Sequence, residues 1–131
     1  MLYNDGEIRG VIAGRRSHLA RQENTMRQCV FAICCLSCRE ILFVAESGNL
    51  RGYINNSLAA VGAEGRRRGL PPRVYHHFQE DHGETGREKR DKLAFFLLHI
   101  GNNIAERTAI KIEFRDRFGT SVAKGGCNLV V

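Results

Sequence analysis

Cys35 and Cys38 stand two residues apart in the run Cys34-Cys35-Leu36-Ser37-Cys38. At that spacing two thiolates reach one Zn²⁺ at about 2.3 Å. A complete site takes two more donors. Cys29, Cys34, His18 and the group His76, His77 and His82 are the candidates. The chain has no second Cys-x-x-Cys pair. The same cysteines also read as core, because unbridged cysteine is among the most buried residue types and this run is apolar. Zinc is the one cofactor that the residue pattern points to.

A second chemistry sits downstream. Arg66, Arg67 and Arg68, then Arg73, lie close to Tyr75 and Phe78. Guanidinium groups fork onto phosphates while aromatic rings stack on bases, which is the physics of single-strand binding. Arg87, Lys89, Arg90 and Lys92 extend the basic patch, and Arg15, Arg16, Arg21 and Arg27 form a sparser one. The stretch Tyr75 to His82 packs three histidines and two acids into eight residues. Such a set can ligate metal or act as a general base. Read as a strand, it points His76 and His77 to opposite faces. His99 reads as a boundary histidine.

Two stretches resemble zinc-dependent cytidine deaminases. Cys35-Leu36-Ser37-Cys38-Arg39-Glu40-Ile41-Leu42 is similar to the Pro-Cys-x-x-Cys-Arg start of a helix in that family. Ala105-Glu106-Arg107-Thr108-Ala109 is similar to the segment holding its catalytic glutamate. The two come in reverse order here, with Cys34 in place of the proline and Ile104 in place of the third ligand. The resemblance implies a zinc held by Cys35, Cys38 and one of His18 or Cys29, with Glu106 carrying protons to and from metal-bound water. Leu36-Ser37-Cys38-Arg39-Glu40 also resembles the Leu-x-Cys-x-Glu peptide with which several viral proteins engage retinoblastoma-family pockets.

These residues need elements to position them. Glu7 to Ala13 reads as a short strand after the Asn4-Asp5-Gly6 turn. Arg15 to Gln28 is polar and helix-tolerant. Cys29 to Leu36 reads as a buried strand, and Ile41 to Ala45 is a second apolar run before the turn Ser47-Gly48-Asn49. Ile54 to Val61 reads as a short helix ending at Gly62 or Gly65. A flexible basic loop at about 65–72 follows, and Arg73 to Gln79 reads as a strand. Leu93, Phe96, Leu97, Ile100 and Ile104 follow the spacing of an apolar helix stripe, which predicts a long amphipathic helix over about 87–105. Ile110, Ile112 and Phe114 alternate with charged residues, which predicts a strand over 109–115. Ser121 to Ala123 and Cys127 to Val131 complete an expected C-terminal β-meander. The expected class is α+β: a small mixed or antiparallel sheet in a single domain over 1–131.

Composition bounds the rest. The chain has 131 residues, 43% hydrophobic and 26% charged, which is a globular balance and excludes collagen-like, mucin-like and coiled-coil chains. Formal net charge is +6. Residues 66–131 carry most of it, with nine Arg and four Lys against eight acids. A basic half of this kind suggests an anionic partner. No apolar run approaches the roughly 18 residues of a spanning helix, and Met1 to Asp5 does not resemble a signal peptide. An intracellular, cytoplasmic location is expected, nuclear for a eukaryotic or viral source, with the five cysteines unbridged. The leading functional expectation is a small nucleic-acid-binding protein, RNA or single strands favoured. It would use Arg66, Arg67, Arg68, Arg73, Arg87 and Arg90 for phosphates and Tyr75 or Phe78 for stacking. The enzyme alternative is a zinc-dependent hydrolase centred on Cys35, Cys38 and Glu106. The third reading is a protein-interaction or viral accessory factor without catalysis, forming a homo-oligomer through a sheet edge or an apolar helix face.

Overall fold

The computed structural model describes residues 11–13, 28–62, 71–81 and 92–128. His18, His82, Arg66, Arg67, Arg68, Arg87 and Arg90 lie outside these residues. So does most of the basic loop at about 65–72. The described chain is α+β, and none of its helices is long and apolar enough to cross a membrane.

Four antiparallel strands form one sheet: β1 (Val11–Ala13), β2 (Cys29–Cys35), β3 (Ile41–Ser47) and β4 (Leu93–Ile100), in the order β1-β4-β2-β3. All seven residues of β2 are 0% exposed. Its side chains alternate between two cores. Phe31, Ile33 and Cys35 join Phe95 and Leu93 on one face. Val30, Ala32 and Cys34 join Phe96 and Ala94 on the other. Both faces are covered by helices, which is why β2 and β4 read as continuous apolar runs rather than alternating ones.

That double burial explains the first departure from expectation. The predicted helix over 87–105 contains strand β4 instead. In the run Leu93 to Leu98 every residue is apolar, so a helical stripe can be drawn through it as readily as a strand. The second departure mirrors the first. The predicted strand over 109–115 lies inside helix α3 (Ile104–Phe118), which follows α1 (Leu50–Gly62) and α2 (Pro72–His76) along the chain. Asn103 caps α3 by accepting a hydrogen bond from the Glu106 N–H at 3.0 Å, and Gly119 ends it at φ 65°. Ile110, Phe114 and Phe118 pack on the second core at i, i+4, i+8. Ile112, which had completed the apparent alternation, is 41% exposed.

Two further expectations are corrected. The segment Arg73 to Gln79 is helical, not a strand. Pro72 opens α2 at its first position, where a missing N–H costs nothing, and the chain continues into a π-turn over His77–Asp81. Where the sequence predicts a C-terminal meander, residues 129–131 lie outside the described residues, and the rest hold a 3₁₀ turn over Val122–Lys124 and a bridge between Ser121 and Asn128. This segment seals the outer edge of β3. The Cys127 N–H donates to the Leu42 carbonyl at 3.0 Å. The Asn128 side chain accepts from the Val44 N–H at 2.8 Å and donates to the Val44 carbonyl at 2.9 Å. One amide side chain thus stands in for a neighbouring strand at an edge that would otherwise recruit one.

The end of the sheet away from the cysteine pair is tied by Arg107 of α3. Its buried guanidinium donates to Glu46 Oε2, Gln28 Oε1 and the Gly101 carbonyl, each at 2.9 Å. Removing one partner of such a network strands the others. Arg107→Ala is therefore expected to cost about 3 kcal/mol of unfolding free energy. Arg107→Lys recovers only part, because an ammonium does not reproduce the fork. Equilibrium urea unfolding of both variants checks this, and a loss for Arg107→Ala within error of zero would contradict the role.

The core thiols set a pH limit. Burial pushes the Cys29 thiol from 9.0 up to about 11, with Arg107 working the other way, and burial raises Cys34 as well. The native chain then holds protons that the unfolded chain releases above pH 9. This contribution to stability is intact below that pH and is lost as the pH rises through about 11. The urea midpoint is expected to fall between pH about 8 and about 10.5, and to hold steady there if these thiols do not titrate differently in the two states.

Candidate metal centre

β2 ends at Cys35, and the chain reverses through residues 36–39 into β3. The Arg39 N–H donates to the Cys35 carbonyl at 2.8 Å, and the Cys35 N–H donates to the Glu40 carbonyl at 2.9 Å. Arg39 sits at φ 63°, in the left-handed region, which closes the turn. The Cys-x-x-Cys pair thus occupies a tight hairpin rather than the helix start that the deaminase resemblance implies. The Leu-x-Cys-x-Glu stretch is the same turn, so it is not an extended peptide.

The turn does local electrostatic work. Burial pushes the Cys35 thiol up to about 11, while the backbone N–H groups of Cys38 and Ser37 approach its sulfur and favour the thiolate. A divalent cation reverses the burial effect by supplying the opposite charge.

Across from the hairpin, the π-turn carries His77. Its Nε2 lies 3.4 Å from Cys38 Sγ. Donor atoms of Cys35, Cys38 and His77 all fall within 4.8 Å of one another. The convergence has a simple origin. Val74 and Phe78 are buried in the first core, which lays this helical segment on the face where Cys35 points. Helical geometry then turns His77 toward the hairpin and leaves His76 exposed. Two cysteine sulfurs and an imidazole nitrogen this close together are a donor set that suits zinc.

The other candidates fall elsewhere. Cys29 is at the far end of β2, roughly 20 Å from Cys35 along a strand. Cys34 points into the opposite core. Glu106 lies on the first turn of α3 at the far end of the sheet, 3.6 Å from His99. The structure does not bring it to the cysteine pair. Phe78 is 0% and Tyr75 9% exposed, so both rings are packed in the fold rather than offered to a base. Arg73 is exposed. Cys127 lines the same cleft as His77 but is not among the converging donors.

Two clefts meet at Arg73. One of about 340 Å³ is lined by Glu40, Arg73, His76 and His77 together with Leu42 and residues 125–127. The other, of about 410 Å³, is lined by Phe43, Pro71, Pro72, Arg73, Cys127 and Asn128. Gly126 borders the first and admits no side chain, because a Cβ there would overlap the Thr120 backbone. In the sequence Glu40 stands out only within the two resemblances, not as a zinc ligand, and Phe43 only within the apolar run Ile41 to Ala45. Comparison with protein-family models, curated proteins and solved structures finds no match for this chain.

All five cysteines lack disulfides, and only Cys38 is half-buried while the other four are buried. With chelator present, a maleimide is expected to label Cys38 well before the others, and added zinc is expected to slow that labelling. Mass-spectrometric mapping that finds Cys29 or Cys34 modified first would overturn this order.

Proposed function

We propose that this chain is a zinc-stabilised nucleic-acid-binding protein that takes RNA or single strands. The observation that supports it most is the convergence of Cys35, Cys38 and His77. A metal on these three residues ties the hairpin to the segment 71–81. That segment carries Arg73 and begins three residues after Arg68, the last of the Arg66-Arg67-Arg68 run. Zinc would thereby hold part of a basic surface in place on a chain with net charge +6.

The burial of Tyr75 and Phe78 moves the stacking role to another residue. Phe43 is half-buried and forms, with Pro71 and Pro72, the apolar wall of the cleft that Arg73 also lines. In this reading a phosphate lies on Arg73 and a base rests against Phe43 and the prolines. The hydrolase alternative needs a carboxylate beside the metal. Glu106 is at the wrong end of the sheet for that task, and Glu40 is the carboxylate beside the triad among the described residues.

Elemental analysis of untagged protein purified without chelator is expected to give about one zinc per chain. Anisotropy titrations with a labelled single-stranded RNA should weaken steeply as salt rises. Arg73→Ala is expected to reduce the slope of log affinity against log salt by about 0.7. Phe43→Ala is expected to weaken binding at every salt concentration. Salt-independent binding, or no binding by the zinc-loaded protein, would remove the nucleic-acid reading.

A further inference from the structure

Three donors leave one tetrahedral position open, and the hairpin itself supplies a residue for it. We infer that Glu40 is the fourth zinc ligand, which makes the centre a closed Cys35–Cys38–His77–Glu40 site that clamps α2 and the π-turn onto the hairpin. This rests on the zinc reading above and goes beyond it by fixing the coordination.

The backbone puts Glu40 in place. Its carbonyl accepts from the Cys35 N–H at 2.9 Å, so the two residues face each other where the strands join the turn. Opposed residues of an antiparallel pair project to the same side of the sheet, with Cβ atoms about 5 Å apart. Cys35 projects into the first core, the side on which His77 lies. Glu40 therefore shares that side, and it lines the same cleft as His77.

Two distances lie near tetrahedral edges, while the Glu40 carboxylate as placed is outside the 4.8 Å cluster that Cys35, Cys38 and His77 form. With Zn–S at about 2.3 Å and Zn–N or Zn–O at about 2.0 Å, neighbouring donors sit roughly 3.5 Å apart. Cys38 Sγ is 3.4 Å from His77 Nε2 and 3.9 Å from Glu40 Oε2. One sulfur thus already lies near edge length from two different donors. Closing the remaining edges takes a rotation of the Glu40 side chain, which is half-buried rather than packed in the core.

Charge is also consistent. Two thiolates and a carboxylate around Zn²⁺ leave one net negative charge with a neutral imidazole. Arg73, which lines the cleft beside Glu40 and His77, offers the matching positive charge. A ligand set closed by protein has the form of a structural centre, whereas a hydrolytic centre keeps water in the fourth position.

The test uses the full chain loaded with zinc or with Co²⁺. X-ray absorption of the wild type is expected to give two sulfur and two nitrogen or oxygen neighbours. In Glu40→Cys the sulfur count is expected to rise to three, with a matching gain in thiolate-to-Co²⁺ charge-transfer absorption. In Glu40→Ala, competition with a chromophoric chelator should show zinc affinity reduced at least tenfold, about the loss expected even for an outer-shell partner. Glu40→Gln serves as the near-isosteric variant in case Glu40→Ala perturbs the turn. Two sulfurs in Glu40→Cys together with unchanged affinity in Glu40→Gln would overturn the assignment and leave the fourth position to water. A wild-type chain that holds no zinc, or a Cys38→Ser chain that holds it as tightly, would instead remove the zinc reading itself.

Discussion

The fold depends on one strand being buried on both faces. β2 exposes none of its seven residues, so each side of it must be roofed. Helix α3 does this on one side with Ile110, Phe114 and Phe118. On the other, Leu50 and Ile54 of α1 cooperate with Val74 and Phe78 of the α2 segment. Apolar area is what drives this arrangement, at about 25 cal/mol per Å² removed from water. It also fixes register. A slip of one residue would exchange the two faces of β2 and force Phe31 and Ile33 into a core shaped for Val30 and Ala32.

A strand held this way still has two ends where backbone and side chains must leave the core, and polar chemistry gathers at both. At the Gln28 end, Arg107 gathers Glu46, Gln28 and the Gly101 carbonyl around one guanidinium. Three chain segments that arrive from different parts of the sequence are fixed by a planar group with directed donors. At the Cys35 end the hairpin meets the α2 segment through the converging thiols and imidazole of Cys35, Cys38 and His77. The proposed zinc would do at this end what the guanidinium does at the other, by gathering ligands from elements that apolar packing alone only brings near.

Parts of this were legible in the residues and parts were not. β2 was legible because a β-branched, aromatic and cysteine run of strand length leaves little else to be. The cysteine pair and the histidines near 76–82 were legible as candidate donors, and the structure brings one of those histidines, His77, to the pair. Choosing His77 over its neighbour required the segment to be helical. The period-two reading of Arg73 to Gln79 concealed that, because Pro71-Pro72 looked like a break rather than a helix start. The exchange of helix and strand across residues 87–118 has one cause in two forms. A continuous apolar run contains every period, so Leu93 to Leu98 matched a helix by default. Ile110, Ile112 and Phe114 matched a strand by three coincidences, while the Asn103-x-x-Glu106 capping pattern marked the true helix start. Local end signals carried more information there than periodicity did. Glu40 was not legible, because its relation to Cys35 is a cross-strand pairing that exists only once the turn is known.

The five cysteines show how position, not residue type, divides core from chemistry. Cys29 and Cys35 point to the same face of the same strand, six residues apart. Cys29 sits where the sheet is roofed and where Arg107 occupies the polar groups nearby, and among the described residues it joins no cluster of metal donors. Cys35 sits where the strand must stop. There the backbone N–H groups of the turn reach its sulfur, and the reversal returns Cys38 and Glu40 to its side. Cys34, one residue earlier, faces the opposite core and is removed from the site by the pleat alone. A burial-driven strand thus divides the run of four cysteines from Cys29 to Cys38 into two packing thiols, Cys29 and Cys34, and two that are available for chemistry, while Cys127 packs from elsewhere in the chain. The availability follows from where the burial ends.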